Sequence, residues 1–161
     1  MGLTISVTFV STSKSSTLDE ALTVYRKRIQ TMSSFSEHRI KGAGDGLEAI
    51  AGEARQILKR WPPSGQRIIL SRDGKSLKND LWFAQFNHWL ETPPHELHFF
   101  IGGAAGLHND ILAKADHVLS LSGLTFPHTL CRLMLYEQIY RALTIRHGIK
   151  YHKTAQRETG G

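Results

Sequence analysis

Apolar positions along this chain follow two rhythms, one of period two and one near 3.6, that hand over to each other from end to end. Leu3, Ile5, Val7 and Phe9 alternate with polar residues, which predicts a strand over 3–10. Leu18, Ala21, Leu22, Tyr25 and Ile29 follow at helical spacing. Thr17 and Glu20 just before them have the spacing of a capping box, in which hydroxyl and carboxylate each satisfy a free backbone N–H. A short strand is predicted over 35–41, then a glycine-rich connector, Gly42-Ala43-Gly44-Asp45-Gly46. Leu47, Ile50, Ala51, Ala54, Ile57 and Leu58 mark a second amphipathic helix, stopped by Pro62 and Pro63. Residues 67–71 read as a strand, and Leu77, Leu81, Trp82, Phe86 and Trp89 trace a third helix, ended by Pro93-Pro94. The apolar stretch 97–101 suits a strand buried on both faces of a parallel sheet. A short helix through Ile111 and Ala115, a strand over 117–121 and a long helix over 128–147 complete the pattern.

Strands separated by helices predict an α/β fold with a parallel sheet, and such sheets bind ligands beyond the carboxyl ends of their strands. Three loops occupy such ends, after Leu70, after Ile101 and after Leu121. The long helix carries two apolar stripes. One is Cys131, Met134, Leu135, Ile139, Ala142 and Leu143; the other is Leu133, Tyr136 and Tyr140. A helix apolar on two sides is buried on two sides, either inside its own chain or against a second subunit. Glu137 and Arg141 stand four apart and can pair.

The 161 residues suit one domain, and 40% apolar with 21% charged residues describes a globular chain. Lys and Arg outnumber Asp and Glu by 20 to 14, an excess that suits a polyanion such as RNA. The single cysteine, Cys131, allows no internal disulfide and no cysteine-built zinc site, which points to a reducing compartment. No apolar run approaches the ~20 residues of a membrane span. Met1-Gly2-Leu3-Thr4-Ile5-Ser6 fits a loose myristoylation pattern, but its alternation reads better as the first strand, and no signal peptide is evident. The nine histidines are scattered, with no HExxH, so no metal site is expected. Without a GxSxG elbow, Ser120 and Ser122 are not triad nucleophiles.

Two loops carry the chemistry. Ile101-Gly102-Gly103-Ala104-Ala105-Gly106 follows a buried strand and lets backbone approach a ligand closely, although a tight strand-to-helix turn would need the same glycines. Leu119 to His128 opens from a strand into small hydroxyl residues, a glycine and apolar side chains, able to wrap an adenine; a plain helix entry with Pro127 in its first turn is the alternative. The basic cluster Arg146, His147, Lys150, Tyr151, His152 and Lys153 suits RNA, or is simply a solvated tail.

The order of these pieces resembles the RlmH family of SPOUT-class methyltransferases. Ile101-Gly102-Gly103-x-x-Gly106 comes first, then Leu119-Ser120-Leu121-Ser122 leading into Leu124-Thr125-Phe126-Pro127-His128. Arg132, Glu137-Gln138, Tyr140-Arg141-Ala142 and Tyr151-His152-Lys153 follow, and Leu70 with Asp73-Gly74-Lys75 also fits. The resemblance implies an α/β SPOUT-type parallel sheet flanked by helices, with a deep C-terminal trefoil knot, in one domain over 1–153 and a free tail over 154–161. It implies a cytoplasmic homodimer that uses S-adenosylmethionine to methylate nitrogen 3 of a pseudouridine in helix 69 of 23S rRNA, on assembled ribosomes. Neither DNA nor a membrane is implied as a partner. The cofactor residues implied are Leu70, Gly102, Leu121, Ser122, Gly123, Leu124, Thr125 and Phe126. Those implied for RNA are His128, Arg132, Arg141, Tyr151, His152 and Lys153, with His152 or His128 as the base. Two alternatives remain open: a non-catalytic RNA- or ribosome-binding factor of the same fold, and a methyltransferase of transfer RNA or of plain uridine.

Overall fold

In the computed structural model, which describes residues 2–44, 46–103 and 105–153, the two rhythms resolve into five strands and five helices in near-strict alternation. The strands are β1 (Thr4–Ser11), β2 (Ser34–Lys41), β3 (Gln66–Ser76), β4 (Glu96–Ile101) and β5 (His117–Ser120). The helices are α1 (Asp19–Gln30), α2 (Leu47–Lys59), α3 (Asn79–Glu91), α4 (Asn109–Lys114) and α5 (His128–Arg146). All strand pairings are parallel, in the order β2-β1-β4-β3-β5.

Successive side chains of a strand point to opposite faces, so each inner strand feeds two layers. Ile5, Val7, Phe9, Ile68 and Phe99 pack with Leu22 and Ile29 of α1, Trp82, Phe86 and Trp89 of α3, and Leu135 and Ile139 of α5. Val10, Ile40, Ile69 and Phe100 face the other way, against Ala54 and Ile57 of α2 and Ile111 of α4. No helix of the described residues is long and apolar enough to cross a membrane.

Two expectations are corrected. The Thr17–Glu20 capping box does not form: α1 begins at Asp19 with no side-chain cap on Leu18. Ser16 and Asp19 take that part instead, the Asp19 carboxylate accepting the Ser16 N–H at 2.9 Å and the Ser16 hydroxyl accepting the Leu18 N–H at 3.1 Å. Second, β3 runs five residues beyond the expected 67–71, because its chain returns to β5 after a break in register. The Leu133–Tyr136–Tyr140 stripe, for which two kinds of neighbour were open, finds one inside the chain. Tyr136 is wholly buried, its ring edge-on to Phe35 at 5.2 Å, and Tyr140 meets Tyr25 of α1 at 6.0 Å.

Candidate functional site

Register decides where the three glycine- and serine-bearing loops go. Leu70 of β3 lies directly opposite Ile101 of β4 on one side and Leu119 of β5 on the other. The three strands therefore finish level, and the chains leaving them enclose one cavity of about 700 Å³. Its walls are Leu70 to Asp73, Ile101 to Gly103 with Ala105 to Leu107, and Leu121 to His128 without Gly123, closed by Cys131. Every residue expected at the cofactor therefore faces this space except Gly123, which sits in the same loop between two that do.

Two glycines are demanded by close approach. A Cβ on Gly102 would stand 2.7–2.9 Å from the backbone of Gly106 and the Leu107 side chain, so only bare backbone fits at this turn. A Cβ on Gly74 would stand 2.6–2.9 Å from the Leu119 backbone, where β3 recrosses the end of β5. Lys75 pairs with the same Leu119 that Leu70 pairs with, so the segment between them is thrown out as a bulge and becomes a cavity wall. Arg72 on that bulge donates to the Thr125 hydroxyl at 2.7 Å and ties it to the loop opposite. The loop after β5 is shaped by its own serines. Ser120 donates to the Ser122 carbonyl at 2.7 Å, and the Leu124 N–H donates to the Ser122 hydroxyl at 3.1 Å.

Leu70, Leu121, Leu124 and Phe126 make much of the wall apolar, with hydroxyls and backbone between them. That chemistry and size fit an adenosyl group held by stacking and backbone hydrogen bonds. His128 stands on the wall at the first turn of α5. Burial pushes the Cys131 thiol up from its ordinary value, so it faces the cavity as a neutral thiol and no nucleophile. Among the described residues, no three His, Cys, Asp or Glu side chains are grouped to hold a metal.

Behind the same loop lies a second cavity of about 490 Å³, sharing Leu70, Leu121, Ser122 and Phe126 with the first. Tyr25, Trp82, Met134 and Glu137 help to line it. The remaining residues expected at RNA do not join His128 at the larger cavity. Arg141, Tyr151 and His152 gather about Glu137: Arg141 Nε donates to its carboxylate at 3.0 Å, the Tyr151 hydroxyl at 3.1 Å, and Arg141 Nη1 lies 3.0 Å from His152 Nδ1. Lys153 is exposed. Arg132 is turned inward, with only 12% of its side chain exposed. Its guanidinium lies 3.7 Å from the Phe9 ring centroid, and Nη1 is 3.7 Å from the Glu37 carboxylate.

Glu37 is the group that pattern reading overlooked. Its carboxylate accepts from Arg26 at 3.0 Å and from the buried Tyr136 hydroxyl at 2.6 Å, linking β2 to α1 and α5. A signal was present: Glu37 interrupts the face that Phe35 begins, and an acid at an apolar position asks for a cation.

Residues 3–152 match the family model described as "Predicted SPOUT methyltransferase". The chain is 36% identical over 142 residues to "Ribosomal RNA large subunit methyltransferase H" of Desulfotalea psychrophila, spanning 87% of this chain and 93% of that one. It is 35% identical over 154 residues to the protein of the same name from Caldicellulosiruptor saccharolyticus, with 92% and 99% covered. The crystal structure of a tRNA (m1G37) methyltransferase from Aquifex aeolicus superposes with a TM-score of 0.55 at 10% identity, over 96% of this chain and 77% of that one, and so shares the fold.

Proposed function

From the premise that the chain belongs to the SPOUT methyltransferase family, whose methyl donor is S-adenosylmethionine, we propose that it methylates nitrogen 3 of a pseudouridine in helix 69 of 23S rRNA, on assembled ribosomes. The relatives named as large-subunit rRNA methyltransferases support an rRNA substrate, and the formal charge of +6 suits one. One observation carries the reading: three loops from neighbouring strand ends surround a single cavity whose walls suit an adenosyl group.

When bound, the donor supplies a methyl group already activated by its sulfonium. What this chain adds is position. Leu70, Gly102 and the 121–126 loop would hold the adenosyl end of the donor. Such alignment contributes on the order of 7–11 kcal/mol in favourable systems. The target nitrogen must also lose a proton. His128, on the cavity wall, and His152, beside Arg141, are the candidate acceptors. Tyr151, His152 and the exposed Lys153 are the candidates to meet the RNA. Arg132 and Arg141, whose guanidiniums are engaged inside the chain, support the same surface from behind.

The same reading makes residues 1–153 one domain, with a trefoil knot in the last third. The double pairing of Leu119, with Leu70 and with Lys75, brings both ends of the β3 bulge to the end of β5. The expected tail over 154–161 lies outside the described residues. It also makes the protein a cytoplasmic homodimer; exposed Leu81, Ile145 and Ile149 support a second copy.

Labelled S-adenosylmethionine, incubated with the protein and ribosomes and followed by mass spectrometry of the labelled nucleotide, tests the proposal. Label on the helix 69 pseudouridine is the expected result. Donor binding without transfer would mean a binding factor, and label on tRNA or on plain uridine would mean a different substrate.

A further inference from the structure

The Glu137 carboxylate has more partners than an ordinary helix-surface pair. One oxygen accepts from Arg141 and from the Tyr151 hydroxyl, and the other accepts from the Gln138 amide at 2.7 Å. The Arg141 guanidinium, anchored there, lies 5.0 Å from the Tyr151 ring centroid and turns Nη1 to His152 Nδ1 at 3.0 Å. Phe83 of α3 stands edge-on to the His152 ring at 4.9 Å, so the imidazole is held from two sides.

A guanidinium only donates, so His152 Nδ1 receives the Arg141 N–H on its lone pair. A neutral imidazole has a single N–H, which then resides on Nε2. We infer that Glu137, acting through Arg141, is a positioning residue that fixes His152 as its Nε2–H tautomer, so that His152 meets the RNA base as a hydrogen-bond donor and not as the acceptor of its proton.

The inference rests on the RNA reading above and reassigns one role within it. The imide nitrogen of a uracil ring is flanked by two carbonyl oxygens. As its N–H bond breaks and the proton passes to an acceptor, for which His128 is the candidate, negative charge spreads onto those oxygens. The new N–C bond forms as the methyl carbon leaves sulfur, and no oxidant or further reactant is needed. A fixed N–H beside one of those oxygens stabilises the charge as it develops. Removing a donor of this kind costs about 10²–10³ in rate.

Two readouts test this. In the first, long-range proton–nitrogen NMR on the full chain, with nitrogen-15 histidine, reads the His152 tautomer at about pH 8, where free imidazole is neutral. The signals are assigned by their loss in His152→Gln. The expected spectrum has a bare Nδ1 and a protonated Nε2, and in Arg141→Leu and Glu137→Gln the two tautomers mix while the other histidine signals stay in place. A protonated Nδ1 in the unmodified protein would overturn the inference, as would an unchanged tautomer in Arg141→Leu. Should either variant fail to fold, the unmodified spectrum still decides the sign.

The second readout is single-turnover methylation of ribosomes. His152→Gln keeps an N–H donor but no base, and is expected to stay within about tenfold of the parent, while His152→Ala falls about 100-fold. Equal loss in both, or no loss in His152→Ala, would overturn the donor role. Failure of the unmodified protein to methylate any ribosome would instead sink the substrate reading, and the NMR result would still decide the tautomer.

Discussion

Single side chains decide how tightly β2 and α5 are joined. The Tyr136 hydroxyl is buried and donates to Glu37, so Tyr136→Phe removes a bond to a charged acceptor without opening a cavity. A loss of about 2 kcal/mol is expected. In a thermal melt that corresponds to a drop of about 4–8 °C, with methylation retained. Two histidines contribute to the response to acid below neutrality. Burial lowers the pKa of His98, more than its contact with Glu96 raises it, and burial likewise lowers that of His117. His117 Nε2 accepts the Trp89 indole N–H at 3.1 Å, which only the neutral ring can do. The unfolded chain takes up these protons as pH falls past 6.5, whereas the folded chain resists until a lower pH. Their contribution to stability is therefore complete above 6.5 and is lost as pH falls from there to the folded values. Melting temperature should decline as pH falls below about 6.5. His117→Gln, which offers Trp89 an acceptor that does not titrate in this range, should flatten that decline.

Among the elements, the loop after β4 is the most sensitive to added bulk. Gly102→Ala forces a Cβ against the Gly106 backbone, and the loop must move into the cavity or away from it. Calorimetry should show S-adenosylmethionine binding weakened by tenfold or more, about 1.4 kcal/mol, with a much smaller change in melting temperature. At this scale the sequence was largely readable. Every strand and helix was anticipated, because alternation and helical spacing follow from which faces are buried, and burial is what the apolar residues record. The convergence of three loops was also foreseeable, since parallel strands must present their carboxyl ends together. Hidden from the pattern were features set by partners distant along the chain. The return of β3 to Leu119, the inward turn of Arg132 onto Phe9, and the place of Tyr136 inside the chain each depend on a neighbour that local spacing does not encode. The α1 cap was missed for a smaller reason, because Ser16–Asp19 and Thr17–Glu20 offer the same spacing one residue apart.

For the molecule as a whole, charge and topology set the terms. With six more basic than acidic residues, ribosome binding should weaken steeply as salt rises, and a plot of log affinity against log salt gives the number of phosphates engaged. A flat plot would mean that charge does not drive the encounter. The expected homodimer is read by sedimentation equilibrium. A monomer across the working concentration range would leave Leu81, Ile145 and Ile149 as isolated apolar residues, which are ordinary on a protein surface.

The bulge between Leu70 and Lys75 has a further consequence for how such a chain can change. Both of its ends answer to Leu119, so residues can be gained or lost between them while the ladder on either side keeps its alignment. One residue inserted upstream, within 66–70, would instead turn the rest of that ladder inside out. The fold thus contains a short span where length is negotiable beside a span where it is not, and the negotiable part is the one that shapes the chamber's edge. Divergence in what such a chamber admits can accumulate there while the scaffold stays still.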